Sequence, residues 1–312
     1  MSKPNAIPGG SKMPLDRKFK ATPGGGGGGA WLNTGNSKEI GKSNSSQQKL
    51  NNLQKRGSAK DFGTEDNISE STGTSIFDPV LCELIYRWFS GQDDYILDPF
   101  AGGSVRGVVA SKLNRNYVGI ELRQEQVDEN RLQAKNICHD PHPQWICGNS
   151  LDIENLLEND KKFNLLFSCP PYADLEVYSD NPEDLSTMEY EKFLLQYSEI
   201  IKKSCEKLHE NSFACFVVGE VRSKKNCGIY YNFVGDTIRS FIDAGLGYYN
   251  EAILLTAIGS LPVRAGKPFE SSRKLGKTHQ NILIFVKGDP KKATQRIGAC
   301  EFGDITSEET HG

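Results

Sequence analysis

The sequence predicts an α/β protein built on an open sheet of about seven strands with helices on both faces. Three observations carry this. Tyr95–Asp98 is a short apolar run ending on a carboxylate, and Gly102-Gly103 follows at once. Residues 104–113 then space their apolar side chains as a helix does, and Tyr117–Ile120 is a second apolar run that ends on Glu121. Further short apolar runs at 145–147, 165–167, 213–218, 251–257 and 282–287 alternate with amphipathic segments, the pattern of strands buried between helices.

The unit at 95–121 is a strand, a glycine turn, a helix and a strand. Glycines at such a turn let the backbone bend sharply and come close to a ligand. Ligands of open α/β sheets lie outside the carboxyl ends of the strands, and an acidic residue about 20 positions after the turn suits ribose hydroxyls. Glu121 stands 18 positions after Gly103. The spacing is not Gly-x-Gly-x-x-Gly, which favours a mononucleoside-like cofactor over a dinucleotide.

Composition bounds the rest. The chain has 312 residues, 37% apolar and 25% charged, enough for one sizeable core with appendages. It holds no 18-residue apolar run and no signal-peptide pattern at its start, so a cytoplasmic protein without a membrane span is expected. The eight cysteines form no Cys-x-x-Cys and lie scattered, as in a reducing compartment. Residues 1–70 carry 11 Lys/Arg and 6 Asp/Glu, a balance of +5, against −8 for the remainder. With six consecutive glycines at 24–29 and many Ser, Asn, Lys and Gln, this stretch reads as a disordered basic arm.

The domain is expected at 71–290, with a loose tail at 291–312. Asp78 and Pro79 are a cap and first residue for a helix through Phe89, whose apolar face is Leu81, Leu84, Ile85, Trp88 and Phe89. Residues 123–137 predict a charged helix with Val127, Leu132 and Ala134 inward. Cys138, His139, His142 and Cys147 match no usual zinc spacing, so this stretch is read as a connection and no metal is assigned. Gly148-Asn-Ser150 follows the third strand, where polar side chains suit a cofactor's base. Ser168-Cys-Pro-Pro-Tyr172 ends the fourth strand, where two prolines forbid its continuation and fix a turn. Residues 173–187 are a candidate lid. Helices are expected at 190–208 and 231–244, and 259–280 reads as a basic loop.

Two motifs thus stand at ends of strands of one sheet: Asp98-Pro-Phe-Ala-Gly-Gly103 and Cys169-Pro-Pro-Tyr172. Together they resemble the S-adenosylmethionine-dependent amino-methyltransferases that act on adenine N6 or cytosine N4 in DNA. That family typically carries Asp-Pro-Phe-x-Gly-x-Gly and (Asp/Asn/Ser)-Pro-Pro-(Tyr/Phe/Trp). The resemblance spans about 72–288, and 74–131 is also similar to bacteriophage-encoded methylases, which would put the protein in a host cytoplasm. It implies a methyltransferase-type sheet, S-adenosylmethionine as cofactor and DNA as partner. It leaves oligomeric state open.

The resemblance implies cofactor contacts from Phe77, Asp98, Phe100, Ala101, Gly102, Gly103, Glu121, Asn149 and Ser150. Cys169, Pro170, Pro171 and Tyr172 would form the catalytic turn, with residue 169 and the Pro170 carbonyl accepting from the target amine and Tyr172 stacking on a flipped base. Two positions depart from the pattern. Residue 169 is Cys, and a thiol is a weak acceptor. Ser104 replaces the last glycine of the loop. Three alternatives stay open: an RNA or protein-glutamine amino-methyltransferase, a catalytically weak DNA-binding module, and carbon-5 methylation with Cys169 as nucleophile and Glu220 assisting. Arg222, Lys224, Lys225, Arg264, Lys267, Arg273, Lys274 and Lys277 are candidate phosphate contacts.

Overall fold

A computed structural model describes residues 77–300, apart from 139, 173–180, 224–225 and 257–260. The arm at 1–70, most of the candidate lid, Lys224, Lys225, the Arg264 side chain and residues 301–312 lie outside the described residues.

Seven strands form one sheet in the order β3-β2-β1-β4-β5-β7-β6. They are β1 Tyr95–Asp98, β2 Asn116–Glu121, β3 Gln144–Cys147, β4 Phe163–Ser168, β5 Leu208–Val218, β6 Gly247–Leu255 and β7 His279–Lys287. The first five run parallel, and β7 is antiparallel to both β5 and β6. The chain order reverses between β1 and β4, which pair through Ile96↔Leu165 and Leu97↔Leu166. A crevice opens beyond strand ends at such a reversal. The expected open α/β sheet of seven strands with helices on both faces is what forms.

Strand alternation sorts the apolar residues into two cores. On β5, Phe213, Cys215 and Val217 face one layer, while Ala214, Phe216 and Val218 face the other. On β7, Ile282, Ile284 and Val286 oppose Leu283 and Phe285 in the same way. The first layer is closed by helices α1 Pro79–Phe89, α2 Val105–Lys112 and α3 Gln124–Ile137. The short α4 Ile153–Leu156, α5 Tyr190–Glu206 and α6 Phe233–Asp243 close the second. No helix among the described residues is long and apolar enough to cross a membrane.

Asp78 caps α1 as expected, accepting from the Val80 and Leu81 amides at 2.8 and 3.4 Å, with Pro79 in the first turn. The buried face is rotated from the expected one. Leu81, Cys82, Ile85 and Tyr86 point inward, whereas Leu84 and Trp88 are exposed. Tyr86 turns the helix: its hydroxyl donates to the Arg106 carbonyl at 2.9 Å and its ring meets Phe167 edge-on.

On α3, Val127 and Ala134 are inward, but Leu132 is 63% exposed and Asn130 is 1% exposed in its place. Asn130 is drawn in by the glycine turn, as described below. Two expected loops are helical. Residues 259–280 contain α7 Leu261–Ser272 despite Pro268, and the expected tail contains α8 Pro290–Ile297. Asp289 caps α8 through the Lys291 amide at 2.8 Å, and Arg296 pins it to Asp94 at 2.7 and 2.8 Å.

Candidate active site

The carboxyl end of β1 turns on Asp98, which is wholly buried. Its Oδ1 accepts from the Phe100 amide at 3.2 Å and the Ser168 hydroxyl at 2.5 Å. Its Oδ2 accepts from Arg106 Nε at 2.6 Å and the Tyr117 hydroxyl at 2.7 Å. Four donors leave this carboxylate little capacity for a ligand. Asp98 is the post on which the turn is built.

Arg106, at the start of α2, completes that post. Its Nη2 donates to the Phe100 and Ala101 carbonyls, both at 2.8 Å, and its guanidinium lies 4.7 Å from the centre of the Phe77 ring. Burial disfavours the charged guanidinium, but Asp98, by charge and hydrogen bond, together with Tyr117 and Cys169 outweighs this and holds its pKa above the ordinary value. Phe77 is thereby placed against Arg106 and Phe167. Tyr117 is also pushed up, first by burial and then by the Asp98 charge. It remains a neutral donor.

Three backbone groups of the turn are held. The Ala101 amide donates to the Ile120 carbonyl at 3.0 Å, Gly102 donates to Glu121 Oε2 at 3.0 Å, and Asn130 Nδ2 donates to the Gly102 carbonyl at 2.7 Å. Gly102 has φ +53°, a region that disfavours a side chain. Gly119 on β2 is needed for a different reason: a Cβ there would stand 2.8 Å from that of Ala101. Over the turn itself there is room. A Cβ added at Gly102 or at Gly103 meets no atom within 4 Å. Ser104, in the position of the family's last glycine, is occupied by a hydrogen bond to Gln133 on α3.

Glu121 closes the far side. Besides Gly102 it takes the Arg123 amide at 3.0 Å, and its side chain is 11% exposed. Burial raises its pKa, opposed by the amide and charge of Arg123 and the Gly102 amide. Oε1 also faces Arg123 Nε at 3.5 Å, so the acceptor site left open is on Oε2, which takes the Gly102 amide. Asn149 and Ser150 sit at the end of β3. Ser150 donates to the Pro99 carbonyl at 2.6 Å, tying this end to the turn, and Asn149 Oδ1 accepts from the Leu151 amide at 3.0 Å.

The second motif leaves β4 directly beside the first. Ser168 is wholly buried and donates to Asp98, which holds it away from the position of residue 169. Cys169 is half-buried, with Sγ 4.0 Å from the Tyr172 hydroxyl. Burial pushes its thiol up, against the pull of Arg106. Nucleophilic cysteines are activated by a lowered pKa, so this setting argues against the carbon-5 alternative. Pro170 is buried, and Pro171 and Tyr172 are partly exposed. Tyr172 accepts from Gln280 Nε2 on β7 at 2.6 Å, and its ring stands edge-on to Phe233 of α6 at 6.0 Å. The structure thus brings Cys169–Tyr172, Phe100–Gly103, Glu121 and residues 149–150 to one sheet edge.

Sequence reading missed Arg106, Tyr117, Asn130 and Gln280. One signal existed: an arginine and a glycine in a short, otherwise apolar helix straight after a glycine turn. The other three are polar residues in ordinary positions, defined only by tertiary contact.

A family model described as DNA methylase matches residues 33–133, reaching back into the stretch read as an arm. Three curated relatives share short segments. Type II methyltransferase M2.DpnII of Streptococcus pneumoniae is 41% identical over 58 residues, 18% of this chain and 22% of that protein. Type II methyltransferase M.Cfr9I of Citrobacter freundii is 53% identical over 45 residues, 14% and 15% of the two chains. Type II methyltransferase M.XycI of Xanthomonas campestris pv. cyanopsidis is 51% identical over 62 residues, 19% and 21%. The similarity thus spans about a fifth of the length of these relatives. Over residues 33–133, the segment that builds the glycine turn, the chain is similar to the DNA methylases.

Proposed function

We propose that the chain transfers a methyl group from S-adenosylmethionine to an exocyclic amino nitrogen of a DNA base, N4 of cytosine or N6 of adenine. One observation carries this reading: Cys169-Pro-Pro-Tyr172 leaves β4 beside the glycine turn of β1, and Ser168 and Asp98 are hydrogen-bonded across the two strand ends. A turn that binds a methyl donor and a turn that holds an amine must be neighbours for direct transfer.

The residues present fit the cofactor. The open space over Gly102-Gly103 admits a ligand against backbone, and Glu121 keeps acceptor capacity suited to ribose hydroxyls. Phe100 and Ala101 shape the turn, with Phe77 and Asp98 acting behind it through Arg106. Asn149 and Ser150 border the side where an adenine would lie. When bound, S-adenosylmethionine supplies an electrophilic sulfonium methyl. The chain's task is then to hold the amine in line, by the Pro170 carbonyl and Cys169, and to stack the base on Tyr172. DNA is the partner in this reading, with Lys267, Arg273 and Lys274 of the α7 region as phosphate contacts.

The test is methyl transfer from labelled cofactor to plasmid DNA, RNA and bacterial protein in parallel. Label in the DNA is the expected result. Label in RNA or protein alone would move the activity to another substrate class, and no label anywhere would leave a binding module.

A further inference from the structure

The end of β5 carries a carboxylate that the site above does not use. Glu220 lies two residues past Val218, at the sheet edge occupied by 169–172. Its neighbour Gly219 is packed on the catalytic turn: a Cβ there would stand 3.8 Å from the Tyr172 ring. Glu220 Oε1 accepts from the Val234 amide in the first turn of α6 at 3.2 Å. Its Oε2 is shut off from solvent and has no hydrogen-bond partner among the described residues.

A helix cap needs one oxygen. The second is left without a donor, which is unfavourable for any buried polar group and more so for a carboxylate. Aromatic rings surround this corner. Phe233, one residue before Val234, meets Tyr172, and Tyr190 stacks on Tyr231 at 4.1 Å, with its hydroxyl donating to Asp236 at 2.6 Å. Lys277 lies within the field of the same carboxylate: burial lowers its pKa and the Glu220 charge works against that. Ring walls, an unfilled acceptor and a nearby cation suit a flat heterocycle that bears an amine.

We propose that Glu220 Oε2 accepts a hydrogen bond from the exocyclic amine of the target base. This rests on the DNA amino-methyltransferase reading and deepens it. Adenine and cytosine each offer a single donor group on their base edges, the amine. A carboxylate that reads either base has only that group to bond. The assignment also answers the weakness at position 169, where a thiol replaces a stronger acceptor. As the N–C bond forms and the C–S bond breaks, the electron pair goes to sulfur and positive charge grows on the amine nitrogen. An anion hydrogen-bonded to that nitrogen stabilises the change before the surplus proton leaves to water.

Glu220→Gln isolates the claim. The amide oxygen still caps Val234, while the other atom becomes a donor facing a donor. Steady-state methylation of plasmid DNA should show kcat lower by about 100-fold. Cofactor affinity by calorimetry should stay unchanged, and the melting temperature should not fall. Activity within about threefold of wild type, or a loss confined to cofactor affinity, would overturn the assignment. If the glutamine variant does not fold, Glu220→Asp, which withdraws the same charge by one methylene, reads the same quantity. A wild-type chain that labels no DNA base removes the underlying reading and the Glu220 assignment together, independently of either variant.

Discussion

Asp98→Ala separates a carboxylate that binds a ligand from one that holds the fold. The substitution leaves the Arg106 guanidinium buried without its anion, and breaking one partner of a buried pair costs about 3–5 kcal/mol. The two carbonyls that Arg106 Nη2 already contacts soften this toward the lower end. The Tyr117 and Ser168 hydroxyls also lose their acceptor, at about 1 kcal/mol each. These terms share one network and do not add fully, so about 4 kcal/mol is expected. For a domain of this size that lowers the melting temperature by roughly 8–16 °C. Thermal unfolding followed by circular dichroism measures it. Adding Arg106→Met to Asp98→Ala removes the stranded charge and should recover at least about 1 kcal/mol. A folded Asp98→Ala protein that melts within about 2 °C of wild type and loses only cofactor affinity would refute this account and restore Asp98 as a direct ligand.

Cys169 should alkylate slowly because burial raises its thiol, so iodoacetamide followed by peptide mass spectrometry should find the exposed Cys227 modified at least about tenfold faster. Cys169→Ser should keep or raise activity; first modification at Cys169, with an inactive serine variant, would favour a nucleophile. Gly102→Ala meets the positive φ and should lose about 1–2 kcal/mol of stability. Gly103→Ala should melt like wild type but weaken cofactor binding measurably, because its methyl enters the open space over the turn. Glu121 has its folded pKa raised by burial, so the fold favours the neutral form. Its stabilising contribution is then present below the usual carboxylate range and is lost as pH rises through the folded value. Melting temperatures of wild type and Glu121→Gln should therefore shift relative to one another in favour of wild type as pH falls from 7.5 to about 4, and the opposite trend would contradict the burial argument.

Sheet and site were legible where a local pattern has one structural meaning. The continuous apolar runs of β5 and β7 could be read because each strand is buried on both faces, and a double proline after β4 permits only a turn. The helix α7 was not legible, since Gly266 and Pro268 are helix breakers and the segment has little apolar periodicity. The helix α8 repeats the Asp-Pro start of α1, but its few apolar side chains gave no face to read. Its place comes from the distant pair Arg296–Asp94. On α3, preference for Asn130 over Leu132 depends on the Gly102 carbonyl across the turn, a contact that no periodicity encodes. Asp98 shows the same limit. A strand-end aspartate looks alike in sequence whether it faces a ligand or four internal donors.

The central claim is amine methylation at the edge where the two turns meet. Plasmid DNA from a methylation-deficient host, incubated with the chain and S-adenosylmethionine, is digested to nucleosides and separated by mass spectrometry. The account predicts N4-methylcytosine or N6-methyladenine, lost in Tyr172→Ala and retained in Cys169→Ser. Appearance of 5-methylcytosine, or of no methylated nucleoside with the folded wild-type protein, would contradict it.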